Sequence, residues 1–442
     1  MRNKSVLIFL VSVVLIFACS IRTKLPDITK LETEIEAVMI YEEDGVNFGP
    51  CEPSIAINPN DPREVVAGSV LRLVHSSRDR GRTWRTTVLE SPLGVYGDPC
   101  IVSDATGKFY YFHLGDPEGT GWSSERFLES IVVQKSSNAG AKWSDGVAIG
   151  RNSPHQQDKE WAVVNPVDNS LGVSWTEFDE YGSKSDSCFS RILFSRSADF
   201  AESWSDPVII SNVEGNCEDD DHTPEGAVPA ADGDGNFYIS WAHNNKIYFD
   251  FSTDGGTTWQ EKDRVIAHQK SGWAMQIPGL ERCNGMPVTR VDLSKSQYAG
   301  NIYVVYADQK ENGEDTDIFL VKSEDSGNQW SEPINVFPDD RDKHQFLPWM
   351  AIDPATGYIF IVFYDRSAHE DLKTDVRLAV SEDGGQSFES VVVSDTSFVP
   401  PGPMKFFGDY NNIAAHEGMV RPIWTAYYEG KLSVWTALVQ WD

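Results

Sequence analysis

Beyond residue 30 the chain is written in short apolar runs broken by polar turns, and no stretch carries the periodicity of a long amphipathic helix. Residues 227–230, 237–241 and 247–251 show the pattern within one unit: three strand-forming runs, a polar turn over 252–259, and a last run near Val265. One set of turns separates an apolar run from an aliphatic or aromatic strand and begins at Asn58, Ser103, Asn165, Asp232, Asp292, Asp353 and His416. A second set reads Ser-x-Asp-x-Gly-x-x-Trp and begins at Ser77, Ser136, Ser197, Ser252, Ser323 and Ser381. Asn138 replaces its Asp, Ala201 its Gly and Phe388 its Trp at single copies. Recurrence at this spacing predicts a repeat architecture.

Each unit holds four short strands joined by tight turns, which is a propeller blade. The expected fold class is therefore all-β: a single β-propeller of seven four-stranded blades, with six as the alternative if the short first unit or the last is irregular. The last unit has no Ser-x-Asp turn, because the chain ends after its third apolar run. Residues 34–41 form a strand-like run with no blade of their own, and they are expected to supply the missing outer strand and close the ring. The aromatic content, 14 Trp, 15 Tyr and 22 Phe, supplies the flat groups that fill the space between facing sheets.

In the Ser-x-Asp turn, the Asp accepts backbone N–H bonds, the Gly takes a positive φ, and the aromatic covers the hairpin's apolar side. These residues are read as structural. Strand parity then puts both sets of turns on one face of the disc. The long non-repeating loops, 114–130, 178–190, 211–224, 268–285, 308–317, 365–375 and 395–408, fall on the other face, where function is expected.

The segments leading from these loops into the inner strands are polar. Brought round a ring, they place Glu52, Asp98, Glu160, Glu225 and Asp409 near one channel mouth, and Asp158, Lys159, Asn284 and Trp349 of the same segments are candidate substrate contacts. Clustered carboxylates raise one another's pKa and so supply acid and base at one pH. The plainer reading is that they line a wet channel. His155, His222 and His344 precede inner strands on the same face and are candidate bases or ligands. The run ending in Asp219, Asp220 and Asp221 is a candidate calcium loop, or else a solvated acidic one.

Residues 1–18 read as a signal peptide, with Arg2 and Lys4 ahead of an apolar core. Ala18-Cys19 has the form of a bacterial lipobox, so Cys19 is expected to be lipidated, residues 19–33 to form a tether, and 34–442 the propeller. The localisation expected is a bacterial cell envelope, anchored by lipid and facing the periplasm or the exterior. Five cysteines remain after Cys19, an odd number, and two pairings stay open, Cys188–Cys217 or Cys217–Cys283. The net charge of −30 disfavours nucleic acid as a partner.

The Ser-x-Asp turns resemble the Asp boxes, or bacterial neuraminidase repeats, of the sialidase superfamily. The phrases at 158–161, 224–229 and 407–410 are similar to segments of exported bacterial sialidase-like proteins. The resemblance covers roughly residues 50–440 and implies glycan or glycoconjugate partners and glycoside hydrolysis, with a lyase using His or Tyr as a subordinate version. It implies Asp98, Glu160, Glu225 and Asp409 as acid and base, Tyr410 as nucleophile with Glu225 as its base, and Arg282 or Arg366 meeting an acidic sugar. The chain departs from the superfamily at the Arg-Ile-Pro signature, reading Val70-Leu71-Arg72-Leu73-Val74 before the first turn. A non-catalytic lipoprotein binding a glycan or protein on the loop face is the alternative.

Overall fold

A computed structural model of the chain describes residues 35–46, 48–310, 313, 315–339 and 341–441. The expected signal peptide, Cys19 and the tether lie outside the described residues. Seven four-stranded antiparallel sheets follow one another along the chain. Their innermost strands are Ser54–Ile57, Cys100–Ser103, Gln156–Val164, Glu225–Ala231, Val288–Val291, Gln345–Ile352 and Asn412–His416. The first six sheets then run outward in sequence order, and the strand count and blade count expected from the turns are both realised.

Closure uses the N-terminal run. Glu36–Glu42 pairs antiparallel with Lys431–Gln440 as the outermost strand of the seventh blade, Glu36 opposite Leu438 and Met39 opposite Trp435. A bulge between Met39 and Tyr41 turns Ile40 inward, where it packs with Ile57, Val65, Ile423 and Val434. That group joins the first blade to the last, so the strand welds the ring as well as covering an edge.

The Ser-x-Asp turns share one geometry. In all six, the Ser hydroxyl donates to the side-chain oxygen two residues on, at 2.8–3.0 Å. It also accepts the N–H four residues on, at 2.9–3.0 Å. The aromatic does more than cover its own hairpin: Trp204, Trp259 and Trp330 pack edge-on against Phe112, Phe194 and Phe249 of the preceding blade, at 5.9, 4.9 and 4.9 Å between centroids. Such pairs contribute about 0.5–1.5 kcal/mol each beyond their burial. The turns are therefore joints between blades.

The opposite end of the inner strands is irregular in a repeated way. Register shifts fall at Asp158/Trp161, Glu225/Val228 and Phe346/Trp349 in blades three, four and six. Lys159, Gly226 and Leu347 within those bulges have φ of 57°, 68° and 50°, and Glu52 and Asp98 take the same left-handed conformation just ahead of blades one and two. A bulge re-aims the side chains beside it, and here the side chains beside it are the polar lead-in residues. A non-glycine residue held at positive φ costs of order 1–3 kcal/mol, and such strain gathers at functional sites.

Candidate functional site

These bulges bring the polar segments of non-adjacent blades to one place. Asp409, ahead of blade seven, accepts a hydrogen bond from Lys159 Nζ of blade three at 2.6 Å, one from Arg282 Nε at 2.9 Å, and one from Arg282 Nη2. Its own N–H donates to Glu52 Oε1 at 3.0 Å, and its carbonyl accepts from Asn284 Nδ2 at 2.9 Å. Asp98 Oδ2 stands 4.0 Å from Lys159 Nζ and has no hydrogen-bond partner. Arg282, half exposed at the rim, also reaches Asp219 Oδ2 at 3.5 Å, and Tyr181 donates to that same oxygen at 2.7 Å.

The carboxylates divide into two electrostatic states. Burial alone would raise Asp409, but the charges of Arg282 and Lys159 override it and hold its pKa at about 2. Lys159 is held charged well above its ordinary range, because Asp409 and Asp98 outweigh the burial that opposes its charge. Asp158 is pushed up to about 8 by burial and then by the charge of Asp98. Burial also raises Asp98, with Lys159 pulling against it, and raises Glu52 well above the carboxylate range. The site thus holds one fixed anion between two cations, beside three carboxyl groups, Asp158, Glu52 and Asp98, that burial raises.

Trp161, Trp349 and Tyr410 pack together as a buried aromatic group outside the cavity lining, with ring centroids 4.2 Å apart for the two Trp and 4.8 Å for Trp161 and Tyr410. Glu160 and Glu225 are buried with both carboxylate oxygens unpartnered, and burial raises both well above the ordinary range. Tyr410 is raised by burial and then by Glu52, Asp98 and Glu160, while the charges that act most on Glu225 are Asp219 and Asp158. The nucleophile and base expected from Tyr410 and Glu225 are not hydrogen-bonded to each other: the Tyr410 hydroxyl donates to the Pro99 carbonyl at 3.5 Å, and neither Glu225 oxygen has a hydrogen-bond partner.

Other expected residues sit elsewhere. Arg366 is buried beneath the loops, donating to Thr374 Oγ1 at 3.0 Å and to the Pro278 carbonyl at 2.8 Å. Asp219, Asp220 and Asp221 diverge: Asp219 turns to Tyr181, Asp220 accepts the His222 N–H, and Asp221 accepts the Ala274 N–H. Among the described residues no group of three or more His, Cys, Asp or Glu side chains is placed to hold a metal ion. His155 faces Glu177 at 3.2 Å, His222 bonds Asn244, and His344 bonds Thr316, none of them at the mouth. Cys188 and Cys217 are joined in a disulfide, while Cys51, Cys100 and Cys283 are buried thiols.

A cavity of about 350 Å³ opens over the cluster, lined by Glu52, Asp98, Asp158, Lys159 and Arg282 and walled by aromatic side chains. Trp122, 70% exposed, lies tilted against Phe127 at 4.7 Å and against Tyr181 at 5.6 Å, and Tyr96 meets Phe127 edge-on at 4.7 Å. Trp122, Phe127 and Tyr181 lie on loops expected from the sequence to carry function, though the rings themselves were not singled out, and Tyr96 lies outside those loops. The available signal was a Trp and a Tyr set among Gly and Ser in loops 114–130 and 178–190, where no packing role calls for them.

The class defined by these observations is a seven-bladed propeller with an aromatic-walled, carboxyl-rich mouth. No protein-family model matches the sequence, and no curated protein matches it. Among solved structures, an ulvan lyase of polysaccharide lyase family PL25, bound to -[GlcA(1-4)Rha3S]-, is similar with a TM-score of 0.54 at 14% identity, over 92% of this chain and 96% of its own. A protein of unknown function from Dyadobacter fermentans gives 0.50 at 12% identity, over 92% and 99%. A Hadza microbial sialidase, Hz136, gives 0.47 at 13% identity, over 85% and 73%. At such identities the shared property is the fold.

Proposed function

We propose that the protein is an exported, lipid-anchored propeller of sialidase-like type that binds a glycan in the aromatic-walled mouth and hydrolyses a glycosidic bond there. The observation that carries this reading is the pairing of a carboxyl group protonated at neutrality with a second carboxyl beside a fixed cation, inside a cavity edged by an exposed Trp. Asp158, held at about 8, is the general acid that gives its proton to the leaving oxygen. Asp98 is the base that takes a proton from the attacking water: the strongest charge acting on it, Lys159, favours its ionised form, whereas the strongest charge acting on Asp158 is Asp98, which disfavours ionisation there. Asp409, pinned by Lys159 and Arg282, orients these groups. Glu160 and Glu225 lie outside the cavity lining and take no part in this step.

The glycan class is supported by the aromatic wall, since flat rings stack on sugar faces while the carboxyl groups accept from hydroxyls. The Ser-x-Asp turns fit an Asp-box propeller. The Cys188–Cys217 bridge fits an oxidising compartment, and lipid attachment at Cys19 is tested by Cys19→Ser, which should move the protein from the membrane to the soluble fraction.

For the reaction, purified protein is incubated with sialylated, uronic-acid and neutral glycans and product release is followed. Release by the wild type that Asp158→Asn stops supports hydrolysis at this site. Binding without release by either protein would reduce the reading to a recognition module, and equal release by both would remove Asp158 from the mechanism.

A further inference from the structure

A second cavity, of about 490 Å³, adjoins the mouth and shares Phe48, Leu71 and Tyr96 with it. Its position follows from the strand order of blade one. Glu52 precedes the innermost strand, Leu71 and Arg72 form the turn between the second and third strands, and Leu89, Glu90 and Ser91 follow the outermost strand, Arg85–Val88. The two cavities together form a groove that runs from the ring axis to the rim. Three inter-strand gaps of about 4.8 Å make that run about 14 Å, longer than any single sugar ring.

The groove is preformed. Its far wall is the segment 116–119, tied down by the Gly121 N–H donating to Asp116 Oδ2 at 2.7 Å and the Gly119 N–H to the Asp116 carbonyl at 3.0 Å. At Gly94, φ +73°, a Cβ would stand 1.9 Å from the Asp116 carbonyl oxygen, so the two walls touch backbone to backbone at that crossing. The lining also carries unmet acceptors at both ends. Asp98 Oδ2 lies in the inner cavity; Asp116 Oδ1, on a residue 2% exposed, lies in the outer one, and neither has a hydrogen-bond partner. A buried acceptor left unsatisfied costs about 1–3 kcal/mol, and a ligand rich in hydroxyl donors would remove that cost at both points.

Building on the proposed glycan site, we infer that this groove holds an extended oligosaccharide, with its reacting residue at the mouth and further sugar units lying outward across blade one past Tyr96 toward Arg72 and Asp116. The substrate is thus an oligomer or polymer whose affinity is spread over several subsites, not a lone terminal sugar.

The test uses the folded mature protein and graded series, one to six units long, of arabino-, galacto- and glucuronyl-rhamnose oligosaccharides, with affinity read by calorimetry. In the series that binds, affinity should rise at least tenfold from the shortest to the longest member. Arg72→Ala, at an exposed position, and Asp116→Asn should each lose that gain while leaving the shortest binder unchanged. Short-chain binding that does not grow with length would overturn the groove while leaving the mouth as a glycan site. Equal losses on short and long chains in both variants would make Arg72 and Asp116 structural and also overturn it. Absence of binding in every series would overturn the groove together with the reading it rests on.

Discussion

The two faces of this ring treat the same side chain in opposite ways. On the turn face, Asp199 and Asp254 are held at about 2: hydrogen bonds from Ser203 and Thr258 outweigh their slight burial. On the loop face, Asp158 is driven to about 8 by burial and by the charge of Asp98. The first set is repeated, satisfied and used to join blades; the second is unrepeated, strained and short of partners. The difference teaches that a carboxylate's role in this fold is set first by how deeply it is buried and then by whether its neighbours are donors or other acids.

The contrast presupposes one closed ring, so the largest effect should come from breaking closure. Deleting residues 36–42 removes Ile40 from its packing group and bares the edge of Lys431–Gln440. No cooperative melt is expected for that protein, and an unchanged melting temperature would break the closure account for both faces.

Next come the mouth residues. Asp158→Asn should lower kcat about 10²–10⁴-fold, as loss of a general acid does, with the melting temperature held or raised. Lys159→Met leaves buried Asp409 with Arg282 alone and should cost about 3 kcal/mol in a denaturant titration, since removing one partner of a buried pair strands the other. On the turn face, Ser381→Ala removes the acceptor of the Gly385 N–H and should cost only about 1–2 kcal/mol, with activity intact. A turn variant that abolished turnover would erase the distinction between the faces.

The pH dependence separates the two sets by sign. Asp158, raised from 3.8 to about 8, binds more protons folded than unfolded, so its contribution to stability is present below pH 4 and is lost as pH rises toward 8. Asp199, lowered to about 2, contributes above pH 4 and loses that contribution as pH falls toward 2. Asp158→Asn should flatten only the upper limb of a stability–pH curve, and a variant that altered the lower limb instead would contradict the assignment.

Much of this was legible in the sequence because repetition reports geometry. Two sets of turns out of phase give the blade count, and strand parity then puts Glu52, Asp98, Glu160, Glu225 and Asp409 at one end. Which of them would meet was not legible. Asp409 joins Lys159 and Arg282 across 250 and 127 residues, through bulges whose left-handed residues are mostly not glycine and so leave little signature. Glu225 and Tyr410 stand at matching ends of their blades, yet burial depth, which periodicity does not encode, puts both outside the cavity lining. Trp122 and Tyr181 lie in unrepeated loops, where no second copy exists to show what is unusual.

The most direct test of the contrast is a side-chain carboxyl titration by carbon-detected NMR, following Asp158 and Asp199 in one sample. The account predicts Asp158 titrating near 8 and Asp199 near 2, with Asp98→Asn bringing Asp158 down. Both groups titrating near 4 would contradict it, and would leave the mouth without the proton that glycoside hydrolysis requires.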